Sequence, residues 1–137
     1  MIRRATSADA AGIAPLLGEL GYPSTPAQVE ARLAALTAGE LVLVAEVEGE
    51  VAGLAGLRVE PLLERDRPWG RLTSMVVGSR WRRRGLGESL VRAVEEEARR
   101  RGCEGVVLSS GHQRVDAHAF YERLGYEHSG RRFSKKL

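Results

Sequence analysis

The chain has 137 residues, 43% hydrophobic and 28% charged, which is long and apolar enough for one packed core. Its 21 basic and 18 acidic residues give a net charge of +3, which does not call for a nucleic-acid partner. Cys103 is the only cysteine, so an internal disulfide is excluded. No apolar run approaches the roughly 20 residues of a membrane span, and we expect a soluble, cytoplasmic protein without a membrane partner.

Two helices are predicted after a short strand at 2–5. Polar residues at 6–9 supply capping chemistry for the first helix, whose apolar residues recur at helical spacing as far as Leu20. The second begins with Pro26 at its first position, after a Ser or Thr cap, and is predicted to end at Gly39. The chain therefore opens with a β-α-α unit.

The pattern then changes to strands. Residues 41–47 and 51–59 flank a turn with glycine at its centre, which predicts a hairpin. A polar, proline-bearing loop at 61–70 follows. The next strand, 71–77, ends in three apolar residues that we expect to be fully buried.

The second half of the chain returns to helices. The longest is predicted at 85–101, where apolar residues repeat every four positions. A short buried strand at 106–108, a helix at 115–124 and an extended segment with a candidate strand at 133–137 complete the order. We predict one α/β domain, residues 1–137, built on a mixed sheet.

The most informative stretch is the run Arg82-Arg83-Arg84-Gly85-Leu86-Gly87, between a predicted strand and the longest helix. Glycines permit close approach of the backbone, and the first amides of a helix have no intrahelical partner, so the run predicts a pyrophosphate site. A Rossmann turn would need a third glycine, and a P-loop would need Gly-Lys-Ser/Thr; both are absent. The alternative at this point is an ordinary basic turn that starts a solvated helix.

Two motifs resemble those of a known family. The run just described resembles the acyl-CoA-binding motif Arg/Gln-x-x-Gly-x-Gly/Ala of the GNAT-type N-acetyltransferases. Residues 117–126 resemble the same family's helix that ends in Phe-Tyr-x-x-x-Gly-Phe/Tyr. The motifs occur in the family's order, and the predicted elements match across nearly the whole chain. The resemblance implies a single-domain GNAT-like α/β (α+β) fold, with a mixed, mostly antiparallel sheet, splayed parallel strands and about four flanking helices.

The resemblance also implies a function, which is direct transfer of an acetyl group from acetyl-CoA to a primary amine of a small molecule or peptide. Loop amides would hold the pyrophosphate, while the preceding strand edge would pair with the pantetheine arm and an amide near Val77 would polarise the thioester carbonyl. Tyr121 matches the family's general acid, which protonates the leaving thiolate; a core aromatic is the alternative. The implied cofactor-binding residues are Met75, Val76, Val77, Arg82, Arg83, Arg84, Gly85, Leu86, Gly87, Glu88 and Arg114.

Two positions depart from the family's pattern. Arg114 stands where the family often has an asparagine that binds the pantetheine arm, and its alternatives are a phosphate contact or a contact with the acceptor. Ser79 replaces a proline that is common just after the strand. Neither change affects a cradle that relies on backbone groups.

The general base is not identified by the sequence, because residues 72–75 include no carboxylate. Glu60, Glu64 and Asp66 lie on or near the adjoining loop. They either deprotonate an ammonium acceptor through water or form a solvated acidic loop. His112 either faces the acceptor or is a bystander in its loop.

Three further residues are expected to have structural roles. Cys103 is interpreted as a buried thiol rather than an acyl carrier, because no paired base would activate it. Trp69 and Trp81 flank the cofactor strand and loop, where packing is the default and covering a ligand is the alternative. No metal site is expected.

Other functions stay open at this stage. A CoA-binding regulatory protein would bind without catalysis. A nucleic-acid-binding module would use Trp81 and the arginines. However, aromatic residues make up 5% of the chain and acidic residues interleave with basic ones on the long helix, so we expect no nucleic-acid partner.

The acceptor is not specified by the sequence. A protein N-terminus, an aminoglycoside, a polyamine and an amino-acid analogue are all open. We expect its pocket to be shaped by the first two helices, the 61–70 loop and the C-terminal segment. The resemblance is compatible with a homodimer.

Overall fold

A computed structural model of the chain describes residues 1–110 and 115–137 in two compact units, Met1–Val107 and Leu108–Leu137. His112 and Arg114 lie outside the described residues, and the single domain over 1–137 stays a prediction. The elements of the first unit are β1 (Ile2–Arg4), α1 (Ala10–Leu20), α2 (Pro26–Ala34), β2 (Glu40–Val47), β3 (Glu50–Glu60), β4 (Trp69–Val77), α3 (Leu86–Arg100) and β5 (Val106–Val107). The second unit contains α4 (Val115–Arg123).

The strands form one sheet in the order β1-β2-β3-β4-β5. All neighbours are antiparallel except β4 and β5, which are parallel, so the predicted mixed and mostly antiparallel sheet is confirmed. The β4–β5 ladder pairs Gly70 with Val106 and Arg71 with Val107. Within the described residues, pairing between these two strands therefore ends near the start of β4.

The sheet carries helices on both faces. On one face, α1 and α2 pack against strand residues that include Val44 and Leu54. On the other, α3 buries Leu90 completely, and a Cβ placed on Gly53 would lie 3.1 Å from the Cδ1 atom of Leu90. Because neighbouring residues of a strand point to opposite faces, Gly53 faces α3 and Leu54 faces α1 and α2.

The start of α1 is fixed to β1 by a half-buried ionic network. The two terminal nitrogens of Arg3 donate to the two oxygens of Asp9 at 2.8 and 2.9 Å, and one also donates to Glu46 at 2.8 Å. Asp9 also accepts a hydrogen bond from the backbone N–H of Thr6 at 2.7 Å. The bond from Arg3 is the main reason that the pKa of this carboxyl lies below its ordinary value.

The predicted end of the second helix is wrong, because α2 ends at Ala34 and not at Gly39. A polar turn follows the helix, in which Glu40 Oε1 accepts hydrogen bonds from Thr37 N at 3.3 Å and Thr37 Oγ1 at 2.9 Å. Such local side-chain bonds compete with helical ones. Leu36, inside the predicted helix, lies beyond the observed end and is 36% exposed.

The candidate strand at 133–137 is also wrong, since residues 126–137 form neither helix nor strand. Phe133 and Leu137 are exposed, and the basic residues between and before them provide no apolar face to bury.

Two expectations of burial are wrong as well. In β4, Val76 is buried but Met75 and Val77 are only half-buried. The strand expected at 106–108 ends at Val107 and is half-buried too. Among the described strands, β5 is an edge strand, and β4 has no neighbour on that side beyond the two-pair ladder, so side chains in both places have a neighbouring strand on one side only.

Candidate active site

The turn from β4 into α3 rests on a buried aromatic ring. Trp81, in the 3-10 turn Ser79–Trp81, is 6% exposed, so packing rather than ligand cover describes it. The guanidinium carbons of Arg80 and Arg84 lie 5.0 and 5.1 Å from its ring centroid. Cation–π contacts of this kind hold the two arginines beside the turn.

The run Arg82–Gly87 forms a backbone concavity at the start of α3. Arg83 has φ of 65° and Gly85 has φ of 78°, both in the left-handed region. Where left-handed residues alternate with residues of negative φ, successive N–H groups point toward the same side. Backbone anion sites are built in this way. A non-glycine residue at φ > 0 is strained, so Arg83 marks this loop as a constrained one.

The first turn of α3 leaves its amides uncapped. Its N-cap is Gly85, which has no side chain, and the first helical bond runs from Ser89 N to Gly85 O at 3.1 Å. The N–H groups of Leu86, Gly87 and Glu88 therefore have no intrahelical acceptor. With the helix dipole and exposed Arg83 and Arg84, they form an electropositive cradle that fits a pyrophosphate.

Arg82 is held by protein groups beside this cradle. Its Nε donates to Val77 O at 3.3 Å, and its Nη2 lies 3.7 Å from Glu19 Oε1. The same Glu19 oxygen accepts the backbone N–H of Ser79 at 3.0 Å. Glu19, at the end of α1, therefore links that helix to the cradle. Sequence reasoning missed it, because a glutamate on an amphipathic helix carries no signal for a contact sixty residues away.

A bulge interrupts the middle of β4. The β3–β4 register passes from Leu54–Val76 to Gly56–Thr73, so two residues, Ser74 and Met75, oppose Ala55 alone. Ser74 has φ of 48°, a left-handed conformation that breaks the ladder. The Thr73 hydroxyl occupies the space where a Cβ on Gly56 would lie. A glycine inside a strand was the one signal that could have indicated this bulge.

A cavity of about 250 Å³ lies between α1, α2 and the sheet. We call it the helix–sheet cavity. Its described lining is aliphatic at nine of fourteen positions, and the polar lining residues are Arg32, Glu40, Arg58, Thr73 and Ser74. The cavity therefore includes Ser74 of the β4 bulge and the adjacent Thr73 in its wall. The 61–70 loop, expected to shape an acceptor pocket, contributes no residue to this lining.

Glu60 is an ionised carboxylate that forms ion pairs with two arginines. Its Oε1 atom accepts from Arg71 Nε at 2.8 Å and from Arg58 Nε at 3.1 Å. The bond from Arg71 is the larger cause, and that from Arg58 a lesser one, by which the pKa of Glu60 falls below its ordinary value. A carboxylate with a lowered pKa is a weak proton acceptor, which argues against Glu60 as a general base.

The other acidic and sulfur groups considered in the sequence lie apart from the cavity. Glu64 and Asp66 are exposed in the loop that precedes β4. Cys103 is buried, and burial raises the pKa of its thiol, which keeps it protonated. Trp69 is half-buried, with its ring against Gly105. These placements agree with structural roles for Cys103 and Trp69.

The second unit carries the other motif residue. Tyr121, on α4, is half-buried, and its ring makes edge contacts with Phe120 at 5.1 Å and Tyr126 at 5.9 Å. The chain reverses after the helix at Gly125, which has φ of 97°, and Tyr126 N donates to Tyr121 O at 3.0 Å. The Phe-Tyr…Gly-Tyr spacing thus builds a helix end with three aromatic rings in contact.

No helix in the described part of the chain is long and apolar enough to cross a membrane. Across residues 1–110 and 115–137, no group of three or more His, Cys, Asp or Glu could hold a metal ion.

Comparison with known proteins agrees with these features. The model of the acetyltransferase (GNAT) family matches residues 15–126. The chain is 39% identical over 89 residues to aminoalkylphosphonate N-acetyltransferase of Salmonella typhimurium, covering 65% of this chain and 58% of that protein. It is 37% identical over 124 residues to glucosamine 6-phosphate N-acetyltransferase 1 of Oryza sativa subsp. japonica, covering 84% of this chain and 73% of that protein.

A solved structure shows the same fold. The GNAT family acetyltransferase of Staphylococcus aureus superimposes with a TM-score of 0.86 at 25% identity, covering 100% of this chain and 98% of that one. The family match spans most of the chain, and it includes both motif regions. The chain belongs to the GNAT family and is an N-acetyltransferase that uses acetyl-CoA.

Proposed function

We propose that the protein transfers an acetyl group directly from acetyl-CoA to the primary amine of a small molecule in the cytoplasm. Two similar proteins are named for small amines, an aminoalkylphosphonate and glucosamine 6-phosphate, which supports a small-molecule acceptor. The observation that carries the proposal is the left-handed cradle at Arg83 and Gly85, with its uncapped helix amides.

Backbone groups of the first unit bind the cofactor in this proposal. The N–H groups of Leu86, Gly87 and Glu88 donate hydrogen bonds to the pyrophosphate oxygens, and Arg83 and Arg84 add positive charge. Arg82 acts as a positioning residue, because its guanidinium joins the end of β4 to Glu19. Contact between Arg114 and the cofactor stays a prediction.

The edge of β4 orients the reacting end of the cofactor. Met75, Val76 and Val77 lie beyond the two-pair ladder with β5, so their backbone can pair with an extended pantetheine arm. When bound, acetyl-CoA supplies an acetyl group activated as a thioester. A backbone N–H near Val77 donates to the carbonyl oxygen as negative charge develops on it.

The acceptor nitrogen forms the new bond to the acetyl carbon as the carbon–sulfur bond breaks. Tyr121 donates its phenolic proton to the leaving sulfur, a role proposed from the motif. The amine loses its own proton to solvent, since the pKa of Glu60 is held low by two arginines. Transfer should therefore become faster as the pH rises toward the ordinary pKa of an alkylamine, about 10.

The sharpest test of this mechanism is Tyr121→Phe, which removes the phenolic oxygen and keeps the ring. We expect kcat to fall about 100-fold or more, because general acid catalysis contributes on that order, with little change in acetyl-CoA affinity. Free-thiol release measures turnover, and calorimetry measures binding. Tyr126→Phe is the matched control, because it removes a hydroxyl from the neighbouring ring and should leave kcat within a few-fold.

Two results would count against the proposal. Unchanged kcat at saturating substrates in Tyr121→Phe would remove this residue from the acid role. Acetyl-CoA binding without thiol release over a broad amine library would favour a regulatory CoA-binding protein. A thermal-shift series with oligonucleotides tests the predicted lack of nucleic-acid binding. Light scattering tests whether the protein forms the homodimer with which the family resemblance is compatible.

A further inference from the structure

The helix–sheet cavity combines aliphatic walls with charged residues. Leucine, isoleucine and valine side chains from both helices and the sheet form most of its described lining. Its volume of about 250 Å³ lies below the roughly 300 Å³ at which pockets for drug-sized ligands begin. Such a space suits a small molecule with an apolar body.

Positive charge exceeds negative charge at this cavity. Arg58 lines it and shares one carboxylate oxygen, that of Glu60, with Arg71. Two guanidinium groups on one carboxylate leave a net charge of +1. Arg58 donates to Glu60 through Nε. Its two terminal nitrogens make no hydrogen bond to the described residues in this network, which leaves them available to a ligand.

The other charged lining residues do not offset this excess. Arg32 donates through Nη1 to the neutral hydroxyl of Ser24 at 2.8 Å. Glu40 carries the one carboxylate in the described lining, and it accepts two hydrogen bonds from Thr37. Two arginines and one engaged glutamate therefore face a space with aliphatic walls.

Arg58 lies within reach of the β4 bulge. Arg58 is paired in register with Arg71, two residues before Thr73 on β4, and Ser74 of the bulge follows. Two residues of strand span about 7 Å, and an arginine side chain can cover much of that distance. One small molecule in the cavity can therefore contact Arg58 and the bulge together.

We propose that the acceptor is a small primary amine with an apolar body and an acidic group, a carboxylate or a phosphonate. Arg58 binds the acidic group with help from Arg32, the aliphatic wall holds the body, and the amine lies beside Thr73 and Ser74 at the β4 bulge. Guanidinium groups bind both kinds of anion through paired N–H donors. This assignment rests on the proposed function, because it names the acceptor of that same reaction.

The test compares amines that differ only in the acidic group. One set comprises 3-methylbutylamine, leucine and the phosphonic acid analogue of leucine; a second comprises hexylamine and 6-aminohexanoate. We expect at least one acid-bearing compound to exceed its matched amine about 10-fold or more in kcat/KM, the effect of hydrogen bonds to a charged group. The carboxylate and phosphonate arms show which anion is preferred.

Variants locate the source of this preference. Arg58→Gln should lower kcat/KM for the acid-bearing compound about 10-fold through KM and leave the matched amine unchanged, while Arg58→Lys should retain part of the preference. Arg32→Gln should have a smaller effect. Arg99→Gln is the control, since Arg99 is an exposed arginine on α3 paired with Glu96.

The outcomes separate the two proposals. Matched amines used as well as their acid-bearing partners would overturn the acceptor assignment and leave acetyl transfer standing. Equal losses for both kinds of amine in Arg58→Gln would also overturn it, because they would make Arg58 structural. No thiol release with any compound, while acetyl-CoA still raises the melting temperature, would overturn the proposed function itself.

Discussion

The cofactor cradle and the helix–sheet cavity are built in opposite ways. The cradle is a continuous run, Arg82–Gly87, in which we propose that backbone conformation and the uncapped amides that follow bind the cofactor. The cavity takes its side chains from two helices and three strands that are distant in sequence. A backbone site leaves a short signature in the sequence, whereas a side-chain site assembled by the fold leaves none.

This difference predicts how each region responds to substitution. The cradle should be sensitive to residues that cannot adopt its dihedral angles and tolerant of side-chain exchange elsewhere. Substitutions that alter the size or polarity of side chains in the cavity should change the use of the acceptor and leave acetyl-CoA binding unchanged. Because α1 contributes Glu19 beside the cradle and Ile13 to the cavity, it is the element that connects the two.

The largest effect is expected for Gly85→Val. Gly85 has φ of 78°, and a residue with a Cβ costs about 1–2 kcal/mol in that region, more when β-branched. If relaxation of the loop turns the cradle amides away, the Kd for acetyl-CoA should rise about 10-fold or more. Calorimetry with acetyl-CoA measures the change.

Gly102→Val is the matched control for that experiment. Gly102 follows the other end of α3 with φ of 79°, and like Gly85 it has open space where a Cβ would be placed. The two variants should lose similar stability in urea unfolding, yet only Gly85→Val should weaken acetyl-CoA binding. Equal affinities in the two variants would mean that the cradle does not depend on its backbone conformation.

A smaller effect is expected in the cavity for Leu36→Ser. Leu36 lines the cavity and is 36% exposed, so the substitution removes apolar contact with the acceptor at little expense to the core. At about 0.8 kcal/mol per buried CH₂, KM for an apolar amine should rise a few-fold, with kcat and acetyl-CoA affinity unchanged. Steady-state kinetics at saturating acetyl-CoA measures it.

Leu63→Ser tests whether the acceptor binds at the 61–70 loop, which the sequence suggested, instead of in the cavity. Leu63 is fully exposed in the 61–70 loop, outside the described cavity lining. We expect no change in KM for the same amine. A larger effect at Leu63 than at Leu36 would move the acceptor site from the cavity to that loop.

The sequence predicted the elements well where local chemistry decides them. Gly49 in the hairpin turn and Gly85 before α3 have a positive φ that few other residues adopt. Pro26 starts α2 because it needs no N–H partner there and its φ is fixed near the helical value. The C-terminal strand failed, because an apolar residue among basic ones predicts a strand only when a partner edge receives it.

The site divides in the same manner. The cradle was found from its glycines and the aromatic motif from its spacing. The β4 bulge, Glu19 and the Arg58–Glu60–Arg71 network were not found, because each depends on register or contact between distant segments. Glu60 shows the consequence, since the sequence could suggest it as a base but could not show the two arginines that lower its pKa.

The smallest effect is expected from the network that fixes the start of α1. The pKa of Asp9 is lowered in the folded state, so the unfolded chain binds more protons below the ordinary value of 3.8. The stabilisation is therefore complete above that pH and is lost as the pH falls through the folded pKa. Urea midpoints measured from about pH 5 to about pH 3 should fall less steeply in Asp9→Asn than in the parent.

Because Asp9 fixes the helix that carries both Glu19 and Ile13, the variant should weaken acetyl-CoA and acceptor binding together, by a few-fold at most. A change in one affinity alone would show that α1 supports the cradle and the cavity independently.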